Sequence, residues 1–573
     1  MCIRQNHGNM FIYLQKSQYG RRFIMNRTRQ ILKKSAAAAL GVSLVVSGSS
    51  TVFAAGSYQE TEKAALNRLT ESLPDSWDTY VENYEKSAAG TKSNMTLKVE
   101  DTGRALVGAL MGGADVSWLQ SISLDSNISI RDGVEAVVSS VLLNDNKLCD
   151  FNVFVDLANV MEYIQIPELS ESYIAAPVSS DSEEDSDETQ QFIDTYMTTI
   201  SDLTSVLPDS KTVSTLLDRY GNIVIDNVEE GSSVEESVSV DGISENCTAY
   251  EGLISEKALS AMTEEILTAA KDDEEIKSLF DQWADESSDS EDQYKEFQDA
   301  IESALNDLSA DEDTDENETL SSKVWVNADG KIVGREIGII DDTASTPVFT
   351  WKAPSDGDSS AVLVEFAAND TSLTFTGNGK TADGLLNGDY ILAVDGTETV
   401  DINVEDLETK PEKTGYYNGT FNISFPTGDT DSTDEDAEVN PLAGFGAVIK
   451  LISNAEADTS TLELTVTTSG AALATLSITG EYGDGVEIPD FASLDKTYDA
   501  TSDEDMTGYL TEANWDTFLT NVRAAGVPDE LASQLEEVLK AAVESASQTE
   551  EESSTSAETD DAETDTETED DAA

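Results

Sequence analysis

Between Lys323 and Phe425 apolar and polar residues alternate in short runs. Val362, Val364 and Phe366 share one parity, Val400, Ile402 and Val404 alternate with Asp401 and Asn403, and Phe421, Ile423 and Phe425 alternate with Thr420, Asn422 and Ser424. A period of two places each apolar set on one face, the pattern of an antiparallel sheet with one face buried. Val324-Trp325-Val326 and Ile332-Val333 flank Asn327-Ala328-Asp329-Gly330, a polar connection with Gly where a positive φ is needed, and predict a hairpin. The same alternation runs earlier through Met95, Leu97 and Val99, through Ile122, Leu124, Ile128 and Ile130, and through Phe151, Val153, Val155 and Leu157. It returns late in Leu462, Leu464 and Val466 and in Ala474, Leu476 and Ile478. Gly377-Asn378-Gly379-Lys380 reads as a turn between strands, not as a phosphate-binding loop.

Helical spacing separates these runs. Leu66, Leu69 and Leu73, then Trp77, Tyr80, Val81 and Tyr84, predict two helices broken near Pro74, with an aromatic stripe that covers a sheet or grips a partner. Ile193 to Leu207 predicts a helix and Val213 to Tyr220 a shorter one. Leu259, Met262, Ile266 and Ala270, continued by Ile276, Leu279, Phe280 and Trp283, form one apolar stripe, and Phe297, Ile301, Ala304, Leu305 and Leu308 another. Trp515, Phe518, Leu519 and Val522 predict a helix capped by Thr511, and Leu531, Leu535, Val538 and Leu539 one that starts at Pro528. Acidic runs at Ser179 to Gln190, Asp285 to Asp292, Asp311 to Glu318 and Gly428 to Glu438, and the tail from Glu550 to Ala573, are too polar to order themselves. The expected fold class is therefore α+β: a large antiparallel meander sheet, able to curve into a half-barrel, covered on one face by amphipathic helices, with disordered acidic loops and C-terminal tail. The expected division is 1–54, an upstream extension and signal peptide; 55–320, an N-terminal helix and sheet half; 321–546, a C-terminal sheet with closing helices, able to share one sheet with the first half; and 547–573, the tail.

Charge adds a compartment. All 114 Asp and Glu follow residue 54, whereas eight of the 33 Lys and Arg precede it. Such a field repels nucleic acid and anionic membrane surfaces. From Met25 a basic segment (Arg27, Arg29, Lys33, Lys34), an apolar segment (Ala36 to Val46) and a small-residue segment (Ser47 to Ala54) make a signal peptide, cut after Ala54 or Ala55. No Cys stands at the end of the apolar segment, so no lipid anchor or stable membrane anchor is expected, and the chain is placed outside the cell or at the cell wall.

Reactive chemistry is sparse. The only His, His7, precedes the signal peptide, which removes Ser-His-Asp and Cys-His machinery and His-containing zinc sites from the mature chain. Cys149 and Cys247 form either a disulfide, worth roughly 4–5 kcal/mol by loop closure, or two unpaired core thiols. Carboxylate pairs suited to glycoside hydrolysis arise by chance among so many acids. Asp311, Asp313 and Asp315 alternate as in an EF-hand loop, but Glu316 stands where the turn needs Gly, leaving solvated loops or loose divalent-cation binding. No catalytic, cofactor or metal residue is expected.

The hairpin Val324-Trp325-Val326-Asn327-Ala328-Asp329-Gly330-Lys331-Ile332-Val333 is similar to a strand–turn–strand of the LolA/LppX lipoprotein-carrier fold. That resemblance implies an unclosed barrel holding an acyl chain, with Leu259, Met262, Ile266, Leu279, Phe280 and Trp283 as a ligand-facing lid. The chain departs from the family in its length, its acidic insertions and its missing anchor Cys. It also resembles uncharacterised exported proteins of gut clostridia, which implies export and supplies no function. The expectation is an exported non-enzymatic protein that binds a lipid or other hydrophobic small molecule between curved sheet and helices. The alternative is an adhesin-like surface or matrix protein with a filled core.

Overall fold

The computed structural model describes residues 56–131, 133–178, 207–283, 290–309, 318–341, 344–368, 371–411, 413, 415–426 and 442–557. The signal peptide with Ala54 and Ala55, the helix from Ile193, the acidic runs at 179–190, 311–317 and 428–438 and the end of the tail lie outside these residues. In chain order the elements are α1 (Tyr58–Ala89), β1 (Thr91–Val99), α2 (Asp101–Leu110), β2 (Ser121–Arg131), β3 (Val134–Leu143), β4 (Asn146–Asp156), β5 (Met161–Gln165), β6 (Tyr173–Pro177), α3 (Ser210–Asp226), β7 (Glu229–Val240) and β8 (Ile243–Ser255). Then come α4 (Glu256–Lys271), α5 (Glu274–Trp283), α6 (Ser290–Ser309), β9 (Glu318–Asn327), β10 (Ile332–Asp341), β11 (Ala344–Lys352), β12 (Ser355–Asp356), β13 (Ser359–Ala368), β14 (Thr371–Ala382), β15 (Leu385–Val394) and β16 (Thr397–Glu408). The chain closes with β17 (Gly419–Ser424), β18 (Phe445–Asn454), β19 (Thr459–Thr468), β20 (Ala471–Tyr482), β21 (Thr497–Asp499), α7 (Asp503–Glu512), α8 (Trp515–Ala524) and α9 (Asp529–Ala557). The class is α+β, with a large, mostly antiparallel, unclosed sheet.

Many strands are joined by the tightest turns available. Asp241-Gly242, Asp383-Gly384, Asp395-Gly396 and Ser469-Gly470 all take positive φ at both residues, the geometry of two-residue hairpins. The expected hairpin between β9 and β10 is present: Asn327 Oδ1 accepts from the amides of Asp329 and Lys331, and Gly330 has φ 73°.

Two compact units form, and they interleave along the chain. Unit one takes α1 as far as Tyr80, then Ser205 to Thr409; unit two takes Val81 to Thr204, Lys410 to Ile423 and the chain from Gly444. The expected boundary at 320/321 falls inside unit one, because β9 pairs along β8, with Leu320 opposite Ile254.

In unit one β7, β8, β9, β10, β11, β13, β14, β15 and β16 pair in that order, all antiparallel. Beyond its ladder with β8, β7 also touches β13 and β14, so this sheet curls without closing. One face packs Tyr58 and Ala65 of α1 against Ile254, Leu320, Val324, Ile332, Ile337 and Phe349. The other buries Val238, Cys247, Ala249, Trp325 and Val333. A charged pair crosses the first core: Arg335, on β10, donates to Glu62 of α1, and both side chains are buried. Beside them the Tyr58 hydroxyl and Ser322 Oγ lie 2.7 Å apart in a hydrogen bond.

Three local expectations change. Pro74 does not split α1, which runs unbroken for 32 residues; the hydroxyls of Thr70 and Ser72 donate back to carbonyls of the preceding turn, a pattern that lets a helix bend rather than stop. The cap of α8 is Asn514, whose Oδ1 accepts from Thr517 N, and Thr511 instead belongs to α7. Gly377-Asn378-Gly379-Lys380 lies inside β14, because the ring of Tyr390 on β15 covers the space a side chain would need: a Cβ at Gly377 would stand 2.6 Å from Tyr390 Cδ1.

Candidate functional site

The site begins with β1. It lies in the middle of the unit-two sheet, whose order is β18, β19, β20, β1, β2, β3, β4, β5, β6 and β21, with only β6 and β21 parallel. Register fixes what each face carries, since residues directly opposite one another point the same way. One row across the strands reads Leu451, Leu462, Ile478, Met95, Leu124, Val141, Cys149. The next reads Ile449, Leu464, Leu476, Leu97, Ile122, Leu143. Neither row contains a charged side chain. On the other flank of the first row stand Ser453, Ser460, Gly480, Ser93, Ser126, Ser139 and then Phe151. These hydroxyls satisfy one another in part, with Ser126 and Ser139 oxygens 2.8 Å apart, so the row is a shallow furrow of small groups between bulky ones.

This apolar face is open. Ile122 is 44% exposed and Met95 41%, and Leu97, Phe151, Leu462 and Val466 are comparably exposed on the same side. The reverse face of these strands is hydroxylic and half-buried: Thr461 bonds Thr479, Thr465 bonds Thr475 and Thr96 bonds the buried Ser123. Ser121, Ser123 and Ser129 of β2 are already buried on this face, and toward β3, β4 and β5 it becomes apolar core, where Val134, Ala136 and Phe154 pack under Val486, Ile488 and Phe491. A sheet whose hydroxylic side is the more covered one and whose apolar side stays partly open inverts the usual economy of burial.

The residues expected to form a lid stand on α4 and α5, in unit one. Leu259 packs against the unit-one core and Met262 is buried. Phe280 sits among Tyr294 and Phe297 of α6, with ring centres 5.6 and 5.3 Å away, while Ile266 and Leu279 are half-buried. The Trp283 side chain lies outside the described residues. Of the two alternatives for the cysteines, the structure has free thiols. Burial, reinforced by Glu245, pushes the Cys247 thiol up to about 11. Burial and the neighbouring Glu168 and Asp150 raise that of Cys149.

Two shallow hollows lie elsewhere. One, of about 540 Å³, is lined by Val134, Asp156, Tyr163 and Phe491; its Asp156 accepts from the amides of Ala158 and Asn159 and so holds a turn. The other, about 660 Å³, lies over Asn378, Lys380, Asp389 and Asn403, where Asp389 accepts from Asn403. Glu398 has its pKa raised by a hydrogen bond with Asp401, but it stands on the exposed surface of β16. Among the described residues no three metal-ligating side chains gather, and no helix is long and apolar enough to cross a membrane. Comparisons of the chain with protein-family models, curated proteins and solved structures return no match.

Proposed function

We propose that this chain is an exported, non-enzymatic protein that holds a lipid or similar hydrophobic small molecule against the apolar face of unit two. The observation that carries this reading is the pair of uncharged rows running across β18, β19, β20, β1, β2 and β3, along which Met95, Leu97, Ile122 and Leu462 are exposed and most of the others half-buried. With strands spaced about 4.8 Å apart, the longer row extends roughly 29 Å. That is about twice the depth of one leaflet of a bilayer whose hydrocarbon is ~30 Å thick, so an acyl chain fits along it in any register. The serine furrow beside it offers hydroxyl partners to a polar headgroup without offering a charge.

The test is native mass spectrometry of the mature chain after purification without detergent, with solvent extraction of the same sample. A co-purifying hydrophobic mass is expected, and Leu97→Glu with Ile122→Glu should remove it, because burying a carboxylate against an acyl chain is strongly unfavourable. An unloaded wild-type chain, or a variant that keeps its ligand, would sink the proposal.

A further inference from the structure

The connection from β1 to β2 contains a helix built inside out. α2 packs through its glycines: a Cβ at Gly103 would lie 2.1 Å from the Leu473 carbonyl oxygen, and one at Gly108 2.8 Å from that of Ala114. Its outward side is Ala105, Leu106, Ala109 and Leu110, continued by Met111. Leu106 is 45% exposed, Leu110 80% and Met111 63%. An ordinary surface helix does the reverse, turning leucines to the core and charges to water. From Thr102 to Ala114 the sole charge is Arg104, and that guanidinium is tied down by Asp101 and the Val99 carbonyl. Gly112 and Gly113 follow at φ 74° and 91°, and among the described residues nothing lies within 4 Å of a Cβ built on either.

We infer that the outward face of α2 is a contact surface for a lipid bilayer, and that ligand enters and leaves the open face of unit two there. The contact rests on α2 alone, whereas its role as an entrance rests on the reading proposed above. Continuity supports that role, since a Cβ at Gly103 would stand 3.3 Å from Val99 Cγ1, and Val99 belongs to the same face of β1 as Leu97. A bilayer fits the tip better than a protein does. Protein interfaces surround their apolar centre with a polar rim and about one hydrogen bond per 100–200 Å². From Ala105 to Ala114 this tip offers only apolar side chains and glycine, bounded by Asp101 and Asp115 at its ends, which suits an interfacial helix lying in the acyl boundary. With a formal charge of −81 the chain is repelled by anionic surfaces, so the matching surface is zwitterionic.

Flotation of the mature chain with phosphatidylcholine vesicles tests this. Wild type should float, Leu110→Asp with Met111→Asp should reduce the bound fraction by about tenfold per side chain, and Val234→Asp, a control on β7 that is 49% exposed, should leave it unchanged. Thermal melts should coincide, because all three side chains are exposed. Flotation of the double variant at the wild-type level would overturn the inference, as would loss of a co-purifying protein with vesicle binding intact. Native mass spectra separate the two proposals. A wild type that floats without a ligand mass ends the ligand reading and keeps the contact; one that carries ligand and does not float ends the contact alone.

Discussion

Glu62 and Arg335 place an ion pair where a core of isoleucine, valine and leucine would otherwise be continuous. Among the described residues the second Glu62 oxygen has no hydrogen-bond partner, so the pair is held at a cost in desolvation. Glu62→Leu or Arg335→Met alone should therefore cost about 3–5 kcal/mol by stranding the other charge, while the double substitution should recover most of that loss. Urea unfolding followed by tryptophan fluorescence measures all three. Asp273 is a second buried carboxylate. Burial alone would raise its pKa, but hydrogen bonds from Arg219 and Tyr220 and from the Ile276 amide outweigh burial and hold it well below the ordinary carboxylate range. A group lowered on folding stabilises fully above its unfolded pKa of about 3.9 and loses that contribution as pH falls below it. Asp273→Asn should thus be less stable than wild type at neutral pH, with the gap narrowing in acid, as circular dichroism melts from pH 7 to pH 2 would record. Neither residue could be singled out beforehand, because nothing local distinguishes Glu62 or Asp273 among 114 acids. Their roles come from partners 273 and 54 positions away.

At the scale of elements, alternation was a sound guide wherever one face is apolar, and it marks β1, β2, β4, β13, β16, β19 and β20 at nearly their true positions. It fails where a contact removes the side chain that would carry the pattern. In β14 the glycines at 377 and 379 make room for Tyr390, which stacks on Phe375 at 5.6 Å, and the sequence there imitates a turn. Gly377→Val, whose Cβ would meet the Asp389 carbonyl at 2.3 Å, should destabilise the β14 and β15 pair by about 1–3 kcal/mol or more and speed amide exchange in it. In α2 the glycines are the packing face, so a search for apolar residues at helical spacing finds leucines that point to water. The Asp-Gly dipeptides at 241, 383 and 395 were a legible signal of hairpins, available without any structure.

For the molecule as a whole, the two apolar rows on which the proposed function rests could not be read from either half of the sequence. Each row is written by strands from both ends of unit two: Met95 stands beside Ile478, and Leu97 beside Leu476. That pairing also orders events in time. A chain delivered amino-terminus first presents β1 long before its neighbour β20 exists, with most of unit one arriving in between. Until Tyr482 has emerged, one edge of β1 has only water or another chain to bond, and a product cut short before Ala471 keeps that edge for good. Self-association is then the default for every truncated copy, and a helper that shields the nascent edge is part of what such a sequence demands of its cell.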